Sequence, residues 1–125
     1  MSFYRFAFEL EGLPPMNTAD GMHWRKRNKL KIDWEARVYY AVIHDRPEKP
    51  LSKARVSVTR CSTREPDFEN LAQGGKFLLD GLVKAGILED DCPRVIGQPE
   101  YLWEPARPKH GKVIITVESV DSEAH

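Results

Sequence analysis

Cysteine is scarce in this chain of 125 residues, which carries only Cys61 and Cys92. Two distant thiols exclude a zinc site of the paired Cys-x-x-Cys type and a disulfide-stapled scaffold, and both read as small packing residues of a reduced, intracellular protein. No apolar run approaches the roughly 20 residues that a membrane span needs. The first ten residues mix charges into their apolar pattern and offer no small-residue cleavage site, so they do not read as a signal peptide. Internal repeats and low-complexity segments are absent. The formal net charge is zero, which argues against a generic nucleic-acid binder. What remains is a cytoplasmic protein with 41% apolar and 30% charged residues, long enough for one domain and one core.

Zero net charge conceals a strong segregation. Between residues 21 and 55 the cations are Arg25, Lys26, Arg27, Lys29, Lys31, Arg37, Arg46, Lys49, Lys53 and Arg55, against Asp33, Glu35, Asp45 and Glu48: ten minus four, a surplus of six. Between residues 65 and 91 the acids are Glu65, Asp67, Glu69, Asp80, Glu89, Asp90 and Asp91, against Lys76 and Lys84: seven minus two, a deficit of five. Such a field attracts a phosphate backbone on one side and repels it on the other unless cations neutralise the acids.

Period-two alternation over residues 3 to 10 predicts a first strand, with Tyr4, Phe6, Phe8 and Leu10 on one face. Pro14 and Pro15 open a loop over residues 12 to 24. Leu30, Trp34, Val38, Ala41 and Val42 recur at helical spacing and predict a helix over residues 29 to 44. Ala54, Val56, Val58 and Arg60 alternate in a second strand over residues 53 to 62. Gly74-Gly75 would cost a helix roughly 1 kcal/mol per glycine, so a frayed start is expected after Asp67, with a firm helix from 76 to 84 and Gly86 as its left-handed stop. A short strand is expected across 94 to 103. Val113 to Val117 suggests a central strand buried on both faces. Residues 121 to 125 read as a disordered tail. The expectation is an α+β domain: a mixed sheet with two main helices on one side, in the order β-α-β-α-β-β.

Acids gather at both ends of the second helix. Asp67 and Glu69 either cap it or ligate a cation, because free amides and the helix dipole favour acids there in any case. Glu89-Asp90-Asp91 is either a solvated turn or a ligand group, since three adjacent acids beyond a helix C-terminus gain nothing from the dipole. The donors are hard oxygens without His or Cys, a set suited to Mg²⁺ or Mn²⁺ rather than zinc. Lys76 either pairs with Asp80 at i, i+4 or stabilises charge on a phosphate. The block from Trp24 to Lys31, with Arg25, Lys26, Arg27 and Lys29, is either a solvated helix start or a phosphate grip with an aromatic for stacking. Phe68 is either a core plug or an exposed wedge against an unstacked base.

Asp67-Phe68-Glu69-Asn70-Leu71, then Lys76-Phe77-Leu78-Leu79-Asp80-Gly81-Leu82, then Gly86-Ile87-Leu88-Glu89-Asp90-Asp91 resembles the signature of the RusA family of Holliday junction resolvases, small endonucleases common in prophages. Pro14, Pro15 and Asn17 match a weaker upstream motif of that family. The resemblance covers residues 1 to 120 and implies a homodimeric, Mg²⁺-dependent endonuclease that resolves four-way DNA junctions in recombination and repair, in the cytoplasm at the nucleoid. It implies Asp67, Glu69 and Asp91 as catalytic, metal-binding acids with Asp90 adjoining, and Lys76 as the assisting lysine. Glu69 stands where the pattern has aspartate, and Ala72-Gln73-Gly74-Gly75 lengthens the spacing to Lys76. The alternative is a non-catalytic phage nucleic-acid-binding protein whose acids are caps and turns.

A straight helix would hold Asp67 and Asp91 on the order of 20 Å apart at ~1.5 Å per residue. A shared metal then requires either that Gly74-Gly75 bends the segment back or that a second subunit completes the site.

Overall fold

Alternating apolar and charged residues at the start of the chain form β1 (Arg5–Glu11), whose Phe6, Phe8 and Leu10 face the covered side of a sheet. The computed structural model describes residues 4 to 14 and 24 to 120. After β1 come α1 (Trp24–Val42), β2 (Ala54–Ser62), α2 (Phe68–Lys84), the single turn α3 (Pro93–Ile96), β3 (Glu100–Pro105) and β4 (Lys112–Ser119). This is the expected α+β order, with two main helices. Pro15, Asn17 and the residues of the expected tail lie outside the described residues.

The sheet order is β1-β4-β2-β3. β4 is antiparallel to both β1 and β2, while β2 and β3 are parallel, so β1, β2 and β3 all run one way and finish at the same end. Register places Phe8 opposite Ile115, Ile115 opposite Val58, and Val58 opposite Tyr101, which defines the face beneath the helices. Val38 and Val42 of α1 and Leu78 and Leu82 of α2 close the core over it. The opposite face carries the ion pairs Arg5–Glu118 at 3.7 Å, Arg55–Glu118 at 3.9 Å and Lys112–Glu9 at 3.2 Å. Both cysteines are free thiols, and Cys61 is buried. Among the described residues no helix is long and apolar enough to cross a membrane.

Four local expectations are corrected. α1 starts at Trp24 rather than 29, because Arg and Lys propagate a helix well without supplying the apolar stripe by which one is recognised. The strand expected over 94 to 103 divides: Pro93 sits at the first position of α3, Gly97 ends that turn with φ 60°, and only then does β3 begin. β4 is central, but Val113, Ile115 and Val117 are buried while Ile114 and Thr116 are half-buried, because among the described residues no helix covers the second face. Finally, α2 runs unbroken from Phe68 through Gly74 and Gly75.

The last point has a packing cause. A Cβ on Gly75 would lie 2.5 Å from Tyr101 Cε1, and one on Gly81 would lie 2.9 Å from Val38 Cβ. Both glycines are therefore seats for neighbouring side chains, and the tertiary contact outweighs the roughly 1 kcal/mol propensity cost per glycine. Gly86, with φ 82°, ends α2 in a Schellman motif: its N–H donates to Val83 O at 3.1 Å, and Ile87 N–H donates to Leu82 O at 3.0 Å.

Gly81→Ala is expected to destabilise the fold by about 1–3 kcal/mol, although alanine is the better helix former, because Val38 Cβ is fixed to its own backbone and cannot swing aside. Denaturant unfolding checks this, and a variant as stable as the wild type would contradict the close approach of the two helices.

Candidate functional site

Three strands finishing at one end bring the segments that follow them together. Residues 12 to 14 leave β1 there, residues 63 to 67 lead from β2 into α2, and residues 106 to 111 connect β3 to β4. Arg37 of α1 donates to Glu11 O at the close of β1, and Tyr4 at its opening donates to Asp45 O beyond the C-terminus of α1, so α1 runs back against β1. Its packed part begins at Trp34, on whose ring the Arg37 guanidinium sits at 4.1 Å. None of residues 24 to 33 is buried. Arg25, Lys26, Arg27, Lys29 and Lys31 thus occupy the half of α1 that has no buried residue, with Trp24 66% exposed and Arg25 set 5.3 Å from its ring centroid.

At the same end, Asp67 is the N-cap of α2. Its Oδ1 accepts the Asn70 N–H at 2.9 Å, and Glu69 lies in the first turn. The capping role is therefore real, and it leaves Oδ2 available. Phe68 is 58% exposed, so it is not a core plug, and its ring meets Tyr101 edge-on at 6.0 Å. Tyr101 continues across Gly75 toward the second acidic pair. Burial, followed by the nearby Asp91 carboxylate, pushes the Tyr101 hydroxyl above its ordinary pKa.

Asp91 reaches this flank because the chain doubles back after Gly86. Leu51 N–H donates to Ile87 O at 2.8 Å and Glu89 N–H donates to Leu51 O at 3.0 Å, which ties the return segment beside the chain entering β2. Lys76 Nζ then lies 3.9 Å from Asp91 Oδ2. Of the two readings of Lys76, the i, i+4 pair with Asp80 does not form among the described residues, and the lysine faces an acid fifteen residues away. Asp90 Oδ1 accepts the Asp91 N–H at 2.7 Å.

Glu69 and Lys76 are seven apart and share one stripe of α2, with Gln73 between them. The flank of α2 thus carries Asp67 and Glu69 at its start and the Lys76–Asp91 pair in its middle, separated by about 13 Å of helix at ~1.5 Å per residue. The Gly74-Gly75 bend is replaced by a straight helix and a returning chain. Among the described residues no three or more His, Cys, Asp or Glu side chains gather into one metal-binding group. Within one chain the acids form two pairs, Asp67 with Glu69 and Asp90 with Asp91. Their donors are hard oxygens, the chemistry that Mg²⁺ accepts.

No protein-family model matches the chain and no curated protein matches it, so the RusA resemblance stands on its quoted residues. Tyr101 is the member of this flank that sequence reasoning did not find. Nothing in its strand marks it, since its importance comes from lying over a glycine of a helix distant in the chain.

Capping and ligation by Asp67 are separable. Asn caps as well as Asp, so Asp67→Asn should leave the melting midpoint nearly unchanged, whereas Asp67→Ala should cost about 0.5–2 kcal/mol. Equal stability of the two variants in thermal melts would remove the cap from the account of α2.

Proposed function

We propose that the protein is a Mg²⁺-dependent endodeoxyribonuclease of the RusA type, acting as a homodimer on branched DNA, four-way junctions foremost, in the cytoplasm at the nucleoid. The observation that carries this reading is the Lys76–Asp91 contact at 3.9 Å. Two motif segments far apart in the chain meet on the flank of α2 that begins with Asp67 and Glu69. A contact of that kind has no purpose in a helix cap.

Asp67 Oδ2, Glu69 and Asp91, with Asp90 adjoining, would hold the ion. When bound, Mg²⁺ or Mn²⁺ supplies a water of lowered pKa and neutralises charge on the phosphate. The chain's own residues do the rest. Lys76 presents an ammonium to the oxygens on which charge builds. Arg25, Lys26, Arg27, Lys29 and Lys31 on the exposed half of α1 take DNA phosphates, and Trp24 offers a ring for stacking. Phe68, exposed beside Tyr101, meets an unstacked base. Because each chain keeps its acids as two pairs, a second copy related by a two-fold is the natural source of a completed ligand set, and it matches a substrate cut in two related strands.

The second reading, a non-catalytic nucleic-acid-binding protein, draws on the Asp67 cap, which accounts for one acid without any metal. Nicking of labelled synthetic four-way junctions against linear duplex separates the two. The expected outcome is Mg²⁺-dependent nicking that EDTA abolishes, with Asp91→Asn retaining junction binding and losing at least about 100-fold in rate. A wild-type protein that binds junctions but nicks none in Mg²⁺ or Mn²⁺ supports the binder instead.

A further inference from the structure

The turn between β3 and β4 carries a second basic surface that the charge count over residues 21 to 55 does not reach. Arg107, Lys109, His110 and Lys112 fall within six positions, and no acid occurs from Arg107 to Val117. Its backbone is held on three sides. His110 N–H donates to Arg107 O at 3.0 Å and closes the turn, Ala106 N–H donates to Ser62 O at 3.0 Å, and Gly12 N–H donates to Gly111 O at 2.8 Å. Gly111 is packed so tightly on Leu13 that an added Cβ would sit 2.8 Å from it. A cation-rich turn with this many backbone anchors presents its charges in a defined place, which lowers the ordering cost of using them.

The side chains are placed for an outside partner. Lys112 pairs with Glu9, but Arg107 and Lys109 are exposed and form no ion pair among the described residues. Lys109 has φ 68°, a left-handed position that ordinarily favours glycine or asparagine, yet a lysine stands there. An open cleft of 920 Å³ beside the turn is lined by both signs, Glu9 and Glu11 against Arg107, Lys109 and Lys112. Its open form and charged lining suit a solvated polyanion passing along a rim better than an enclosed small ligand. The turn lies at the end of the sheet where β1, β2 and β3 finish, the end to which the exposed half of α1 belongs and at which α2 starts.

We propose that the turn formed by residues 106 to 112 is a second phosphate-binding element that grips the DNA backbone through Arg107 and Lys109, separately from the α1 block. This inference rests on the DNA-processing reading above and adds to it a second point of attachment. Two separated grips restrain a duplex arm in direction as well as position, which one helix cannot do.

The test measures binding of fluorescein-labelled four-way junction and linear duplex by anisotropy over a series of salt concentrations. The proteins are the wild type, Arg107→Ala/Lys109→Asn, and Arg25→Ala/Lys26→Ala. Asparagine at 109 accepts the left-handed backbone, and melting curves establish that the variants fold. Loss of about ten-fold or more in affinity at 0.1 M salt, with the slope of log K against log salt shallower by ~0.9 for each contact removed, supports the turn as a phosphate grip. A junction affinity and salt slope equal to wild type in the turn variant, while the α1 variant is weakened, overturns this inference and leaves the proposed function standing. Inorganic phosphate at millimolar concentration and matched ionic strength that abolishes the affinity difference between the wild type and the turn variant would identify the turn as a site for small free anions and overturn the backbone grip. Failure of the wild type to bind either DNA overturns both the inference and the function on which it rests.

Discussion

Everything around the candidate site depends on how closely α2 is approached by its neighbours. Gly81 admits Val38 of α1 and Gly75 admits the ring of Tyr101, so one helix is clasped between a second helix and an edge strand. Close packing of this kind is what fixes position to a fraction of an ångström, since cores lose dispersion energy steeply as gaps open. With α2 so held, the Schellman turn at Gly86 can send the chain back along the helix, and Asp91 arrives beside Lys76. The acids are thus arranged by packing. Their mutual repulsion opposes the arrangement, and the contacts of glycines that bear no charge impose it.

The same clasp explains which parts were legible in the sequence. Strand alternation in β1 and β2, the apolar stripe of α1, the cap at Asp67 and the stop at Gly86 are local features, and each appears where its pattern places it. What failed were inferences that treated a residue by its intrinsic tendency alone. Gly74-Gly75 reads as a helix breaker until Tyr101 is known to need the space. Lys76 reads as a partner of Asp80 until the return of the chain supplies Asp91. The strand expected across 94 to 103 hides the short helical turn that Pro93 opens. In the first two cases the deciding neighbour is remote in sequence, and periodicity carries no information about it.

Charge segregation in the chain becomes segregation in space only in part. Both basic surfaces, the exposed half of α1 and the turn after β3, belong to the end where β1, β2 and β3 stop. The acidic flank starts at that same end with Asp67 and Glu69 and runs along α2 toward Asp91. Cations and acids are therefore adjacent surfaces and not opposite poles, so the DNA of the proposed function, held by the first, would be brought against the second.

That adjacency sets a requirement independent of catalysis. Of the two cations within residues 65 to 91, Lys76 faces Asp91 at 3.9 Å and Lys84 faces Glu35 of α1 at 3.7 Å, so Glu65, Asp67, Glu69, Asp80, Glu89 and Asp90 have no ion-pair partner among the described residues. The dipole of α2 offsets part of the charge on Asp67 and Glu69 but falls off within the first turn and gives nothing to Asp90. If DNA is bound as proposed, a phosphate backbone drawn in by the basic surfaces would meet this excess at short range, where screening by monovalent salt is weak. Divalent cations relieve it at far lower concentration than monovalent ones. On the proposed reading, DNA contact with the α2 flank would therefore be coupled to a divalent ion even before any bond is broken, and an ion recruited for that reason would stand near the phosphate on which Lys76 is proposed to act.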